Sequence, residues 1–147
     1  MTTLNILVAV DGSENALEAV RHGAKLAAAN ADIRLHLLNV QPPLPSAASS
    51  FVSAETVRSF HQDEGEKCLK NALELLKSAG VSYECHVAVG NQAEAIVEYA
   101  REKKCDLILM GTRGLGGLSN LLLGSVATRV LHLTDVPVTL IPLKRRR

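Results

Sequence analysis

The chain has 147 residues, of which 47% are hydrophobic and 21% charged, and its formal net charge is +1. This length and composition predict one globular domain over residues 1–147 that folds without a disulfide or a metal. The near-neutral charge disfavours a general nucleic-acid binder, which needs a basic face. We expect neither a signal peptide nor a membrane-spanning helix, because no apolar stretch is long enough and uninterrupted.

The cysteines Cys68, Cys85 and Cys105 are odd in number and lack C-x-x-C spacing. This pattern indicates reduced thiols and predicts a cytoplasmic protein. We expect all three side chains to be buried or half-buried, as small apolar residues usually are.

The first predicted elements are a strand, a helix and a second strand. Leu4 to Val10 is a short apolar run typical of a buried strand. A turn over residues 11–13 follows, and Asp11 or Ser13 can cap the next helix. The second strand, Ile33 to Val40, contains Arg34 and His36, which predicts that one face or one end is less buried. A stripe of small residues on the helix between them can pack closely on a sheet: Ala16, Ala19, Val20, Gly23, Ala24 and Ala27.

The middle of the chain contains an irregular segment and a long helix. Gln41 to Ser50 is rich in proline and serine without periodicity, so we expect an irregular connector or a flap near a site. Ser53 to Ala79 has helical spacing, with Phe60 and Leu69 among its apolar residues. Gly80 is placed to end this helix.

The last third contains three more strands and two helices. The strand Val81 to Val89 is edge-like, since it carries several polar residues. The other predicted elements are a helix capped by Asn91 that runs through Lys103, a strand at Asp106 to Met110, a helix from Gly124 or Ser125 to Leu133, and a strand at Val136 to Leu143. The alternation of strands and helices predicts an α/β fold with a parallel sheet and helices on both faces.

The stretch Leu107 to Val126 is the strongest functional signal. It runs from an apolar strand through a glycine-rich loop to a helix start, with the spacing Gly111-x2-Gly114-x9-Gly124-Ser125. Such an arrangement can hold a phosphate group on backbone N–H groups, although a plain surface loop has similar spacing. It is neither a P-loop nor the dinucleotide-binding fingerprint.

This stretch, continued through VATRVLHLTDVPVTLIP, resembles the C-terminal signature of the universal stress protein family, and ILVAVDGSENALEAV resembles its first strand and helix. The glycine spacing matches the ATP-binding branch of that family. The resemblance implies a Rossmann-like, three-layer fold of the adenine-nucleotide alpha hydrolase type, with an open five-stranded sheet in the order 3-2-1-4-5. It also implies a homodimer through the last strand, Val136 to Ile141, where an apolar sheet edge invites pairing.

In that order the first and fourth strands are neighbours, so their carboxyl ends would share one crevice. The resemblance then implies ATP as ligand, with an adenine slot made by Ala9, Val40 and Met110. Asp11 could accept hydrogen bonds from ribose, help to place Mg²⁺, or cap the helix. The remaining predicted nucleotide-binding residues are Val10, Gly111, Arg113, Gly114, Gly124, Ser125 and Val126.

No hydrolytic centre can be assembled from the sequence, because phosphoryl transfer also needs a residue that orients the nucleophile. We therefore expect a nucleotide-dependent stress regulator, with an unknown protein partner and at most slow hydrolysis or autophosphorylation. The alternatives are a slow ATPase or kinase-like enzyme and a dimeric interaction module that binds no nucleotide. A phospho-receiver is disfavoured, because it needs paired acids after the first strand, where this chain has only Asp11.

Overall fold

A parallel sheet forms the centre of the structure, a computed structural model that describes residues 2–113 and 123–143. Its order is β3-β2-β1-β4-β5, as predicted, and all neighbours are parallel. The strands are β1 (Leu4–Ala9), β2 (Ile33–Gln41), β3 (Tyr83–Val89), β4 (Leu107–Gly111) and β5 (Val138–Ile141).

Helices cover both faces of this sheet. They are α1 (Glu14–Ala29), α2 (Ser46–Ser49), α3 (Ala54–Ala79), α4 (Gln92–Glu102) and α5 (Ser125–Leu133). Alternate residues of β1 enter two different cores: Val8 packs in the core under α1 and α3, and Leu7 in the core under α4 and α5. This gives the predicted three layers. None of the described helices combines the length and apolar character needed to cross a membrane.

The small-residue stripe of α1 lets this helix lie close to the sheet. A Cβ atom added at Gly23 would lie only 3.3 Å from Leu109 Cδ1 and 3.5 Å from Val8 Cγ2. The helix therefore packs directly over β1 and β4. Its first turn, which includes Asn15, lies beside the carboxyl ends of β4 and β5.

Three predicted segments differ from the structure by more than one residue. The last strand is shorter than Val136 to Leu143, because the Val136 N–H is bonded to Thr134 Oγ1 in a turn and Pro137 has no N–H. The segment Gln41 to Ser50 is not wholly irregular, since it contains α2. The third strand begins at Tyr83 rather than Val81.

Two predictions about burial were confirmed only in part: Arg34, near the start of β2, is exposed as expected, but His36 is not. His36 is buried, because Tyr99 Oη and Asn5 Oδ1 lie 3.0 and 2.9 Å from its two ring nitrogens. Cys85 is exposed, because β3 is an edge strand, whereas Cys68 is half-buried and Cys105 buried as expected.

The apolar face of α3 also differs from the prediction. Phe60 is 45% exposed, and the buried residues in the first half of the helix are His61 and Gly65. A Cβ atom at Gly65 would lie 2.5 Å from Val87 Cγ2, so this glycine allows α3 to approach β3. Gly65 is therefore a packing site between α3 and β3.

Candidate functional site

A cavity of about 690 Å³ opens at the carboxyl ends of β1, β2 and β4. It lies where β1 has β2 on one side and β4 on the other, which is where the strand order reverses. In open α/β sheets this reversal point is the usual ligand site. The volume is in the range of small-molecule sites, which is about 300–1,000 Å³.

The structure brings the described members of the predicted site together around this cavity. One predicted residue, Gly114, lies outside the described residues. The others all line the cavity: Ala9, Val10, Asp11, Val40, Met110, Gly111, Arg113, Gly124, Ser125 and Val126.

The start of α5 forms one wall of the cavity. Gly124 is the N-cap residue, Ser125 is the first helical residue, and no side chain in the described part of the chain caps this end. By contrast, Ser13, Ser53 and Asn91 cap α1, α3 and α4 with their side chains. The first N–H groups of a helix need partners and carry positive dipole character. The wall at α5 can therefore accept an anionic group from the cavity.

Asn15 holds the segment that follows β4. Its Oδ1 accepts hydrogen bonds from the Arg113 N–H at 2.8 Å and from Thr112 Oγ1 at 3.3 Å. Its Nδ2 donates to the Ile141 carbonyl at 2.8 Å. The Asn15 side chain is buried, and its three hydrogen bonds hold this part of the cavity wall in place. Sequence reasoning missed this residue, although a lone amide among the small residues of α1 was a signal.

A second buried amide, Asn39, joins the ends of β1 and β2 at the other side of the cavity. Its Nδ2 donates to the Val10 carbonyl at 2.8 Å, and its Oδ1 accepts from Gln41 Nε2 at 2.7 Å. Gln41, Asn39 and Cys68 all line the cavity and were not predicted as site residues. Asn39 interrupts an apolar strand, which was the available signal.

The charged groups at the cavity are Asp11, Glu64 and Arg113. Asp11 Oδ1 accepts from the Ser13 N–H at 2.9 Å, so it supports the turn before α1 while Ser13 is the cap. Glu64 pairs with Lys67 at 2.9 Å. The Nε atom of Arg113 is shielded from solvent and has no hydrogen-bond partner among the described residues. Within those residues no group of three or more His, Cys, Asp or Glu is arranged to hold a metal ion.

Known proteins show clear similarity to this chain. A family model described as the universal stress protein family matches residues 3–142. A universal stress protein of Methanocaldococcus jannaschii is 35% identical over 138 residues, which cover 92% of this chain and 80% of that protein.

Two solved structures extend the similarity to three dimensions. Universal stress protein UspA from Lactobacillus plantarum has a TM-score of 0.80 at 21% identity, covering 96% of this chain and 99% of that one, which shows the fold. A universal stress protein solved in complex with cAMP has a TM-score of 0.67 at 27% identity, covering 97% of this chain and 98% of that one.

Proposed function

The chain belongs to the universal stress protein family, and from this membership we propose that it binds ATP in the cavity at the carboxyl ends of its strands. We assign it to the ATP-binding branch and infer that it acts as a nucleotide-dependent regulator of a stress response. The observation that carries the proposal is the start of α5, a helix end without a side-chain cap that forms a wall of the cavity. The relative in complex with cAMP supports an adenine nucleotide as the ligand class.

The adenine ring is assigned to the apolar side of the cavity. Ala9, Val40 and Met110 come from three neighbouring strands and line this side together. Val40 and Met110 are buried, with relative exposures of 7% and 4%. Aliphatic contacts of this kind can enclose a planar base without aromatic stacking.

The phosphates are assigned to the opposite wall. Thr112, which follows Gly111, connects the end of β4 to the start of α5, because its carbonyl accepts a hydrogen bond from the Gly124 N–H. The N–H groups of Ser125 and Val126 at the start of α5 would then hold phosphate oxygens. The shielded Nε of Arg113 offers a charged donor that lacks a partner among the described residues. Gly114, which lies outside the described residues, remains a predicted member of this wall.

Asp11 is the residue that would hold Mg²⁺ with the nucleotide. It lines the cavity, and among the described residues only its Oδ1 makes a hydrogen bond. Magnesium is often bound by one or two carboxylates together with substrate phosphates, so one carboxylate at this position fits. The ion would supply charge neutralisation for the phosphates. We propose binding with at most slow hydrolysis, because Asp11 is assigned to the metal and the other carboxylate at the cavity, Glu64, is paired with Lys67.

A homodimer through the last strand completes the proposal. β5 is at the edge of the sheet, and its four residues, Val138–Ile141, are half-buried. Leu131 and Leu133 at the end of α5 are 45% and 37% exposed. A largely apolar edge strand and exposed leucines favour association with a second copy. The free cysteines fit a cytoplasmic location. A further protein partner would bind to the dimer.

The test is calorimetric titration of nucleotide-free protein with ATP, comparing wild type with Gly124→Val. The φ angle of Gly124 is -69°, so the backbone tolerates valine, and we expect the added side chain to hinder a phosphate at the start of α5. We expect wild type to bind ATP and Gly124→Val to lose at least about tenfold in affinity while staying folded. Ala28→Val, at an exposed position of α1, is the control for an added β-branched residue. Unchanged affinity in folded Gly124→Val would show that α5 does not hold the phosphates.

A further inference from the structure

We propose that Asn15 is a positioning residue that couples the phosphate wall of the cavity to β5, so that nucleotide binding and the order of the last strand depend on each other. This inference rests on the proposed nucleotide site and concerns its regulation. It arises from one buried side chain that contacts the segment after β4 and the end of β5 at the same time.

The amide of Asn15 is used on both of its ends. Its oxygen accepts from the Arg113 N–H and from the Thr112 hydroxyl, and its nitrogen donates to the Ile141 carbonyl. Only 3% of the residue is exposed, so water does not compete for these bonds. A carboxamide has one acceptor oxygen and one NH₂ donor, and here each faces a different segment. Asn15 therefore links two segments that a simple cap would leave independent.

A second route joins the same segments. The Thr112 N–H donates to the Ile141 carbonyl at 3.2 Å, and the Thr112 carbonyl accepts from the Gly124 N–H. Thr112 is thus bonded to Asn15, to β5 and to the N-cap of α5. Because the proposed phosphate contacts lie at Arg113 and at the start of α5, a ligand that orders them also restrains Ile141.

The close approach of Gly111 keeps Asn15 in place. A Cβ atom at Gly111 would lie 2.6 Å from Asn15 Cγ and 2.9 Å from both Nδ2 and Oδ1. Gly111 is thus required for the position of Asn15, independently of any phosphate that it could approach. The amide has little room to move, so a shift at one end is transmitted to the other.

The experiment is amide hydrogen exchange on wild type, Asn15→Ala and Asn15→Asp, each without ligand and with saturating ATP. Without ligand, Asn15→Ala should speed exchange of the Arg113 amide roughly tenfold, because this N–H loses its acceptor. Asn15→Asp keeps the acceptor oxygen but loses the donor to Ile141. It should therefore leave the Arg113 amide protected while loosening Thr112 and β5.

ATP provides the test of coupling. In wild type, ATP should slow exchange of the β5 amides as well as of Arg113. In Asn15→Ala the β5 effect should be clearly smaller, because only the backbone route through Thr112 remains. His36→Ala is the control: it also removes a buried polar side chain, but one that bonds to Asn5 and Tyr99 and does not line the cavity, so the response of β5 should persist. If Asn15→Ala does not fold, Asn15→Asp still tests the β5 response, because it lacks the donor to Ile141.

Two results would overturn the inference: unchanged Arg113 exchange in ligand-free Asn15→Ala, or an ATP response of β5 equal to that of wild type in both Asn15 variants. Failure of the proposed function has a different signature. In that case wild type does not bind ATP at all, whereas exchange in the ligand-free variants still decides whether Asn15 links the two segments.

Discussion

Replacing Gly111 by alanine tests whether the contact with Asn15 holds the cavity wall. The backbone at Gly111 has no positive φ, so alanine is strained only through its side chain. That side chain would lie 2.6 Å from Asn15 Cγ, a distance that real Cβ atoms do not adopt. Either β4 shifts, or the Asn15 amide rotates out of its hydrogen bonds.

The free-energy cost of Gly111→Ala follows from the hydrogen bonds that rotation of the Asn15 amide would break. Asn15 makes one hydrogen bond each to Arg113, Thr112 and Ile141. At about 1 kcal/mol net for each, Gly111→Ala should lower the free energy of unfolding by about 2–3 kcal/mol. In an Asn15→Ala background those bonds are already absent and the clash is removed. There the same substitution should cost less than about 0.5 kcal/mol.

The assay is urea unfolding of wild type, both single variants and the double variant, which together form a double-mutant cycle. The reasoning predicts a coupling free energy of about 2 kcal/mol between the two positions. Additive costs would refute it, since they would show that Gly111→Ala acts through β4 alone and leaves Asn15 in place. Unchanged m-values would confirm that the four proteins unfold from comparable states.

Three further predictions concern charge, pH and assembly. Arg113→Met should weaken ATP binding but leave adenosine binding unchanged in calorimetry, whereas Arg129→Met, which breaks an exposed pair with Glu94, should change neither. Burial lowers the pKa of His36 from 6.5 despite the nearby Glu84. As the pH falls, the unfolded chain therefore takes up the proton on His36 before the folded protein does, and thermal stability should fall as pH drops below 6.5. His36→Gln should reduce this loss of stability, whereas replacement of the exposed His132 should not. Val138→Pro in β5, where the backbone N–H faces away from β4, should shift the protein from dimer to monomer in sedimentation.

Local sequence patterns predicted most elements of the fold. Ser13 and Asn91 were identified as caps, Gly80 has the left-handed φ of +67° that ends α3, and the aliphatic runs are strands. These features depend on neighbours in the chain, so a single sequence reveals them. The strand order came from the family resemblance, because the pairing of distant strands leaves no local pattern.

The errors at His36 and Asn15 occurred because distant residues determine the surroundings of these side chains. His36 was expected to be less buried, but Tyr99 and Asn5 satisfy its ring nitrogens inside the core. Burial raises the pKa of Tyr99 to about 12, so its hydroxyl stays protonated and can donate to His36. Asn15 was missed for the same reason: its partners Arg113 and Ile141 are 98 and 126 residues away in sequence. Polar residues that pair at long range cannot be distinguished from surface residues by periodicity.

The central claim is that the cavity binds the base and the phosphates of one adenine nucleotide. The most direct measurement is calorimetric titration of nucleotide-free protein with ATP, with adenosine and GTP in parallel. We expect saturable binding of ATP, weaker binding of adenosine because it lacks the phosphates, and poor binding of GTP. The absence of saturable ATP binding by folded protein would contradict the account and show that the wall formed by Asn15, Thr112 and α5 has a structural role alone.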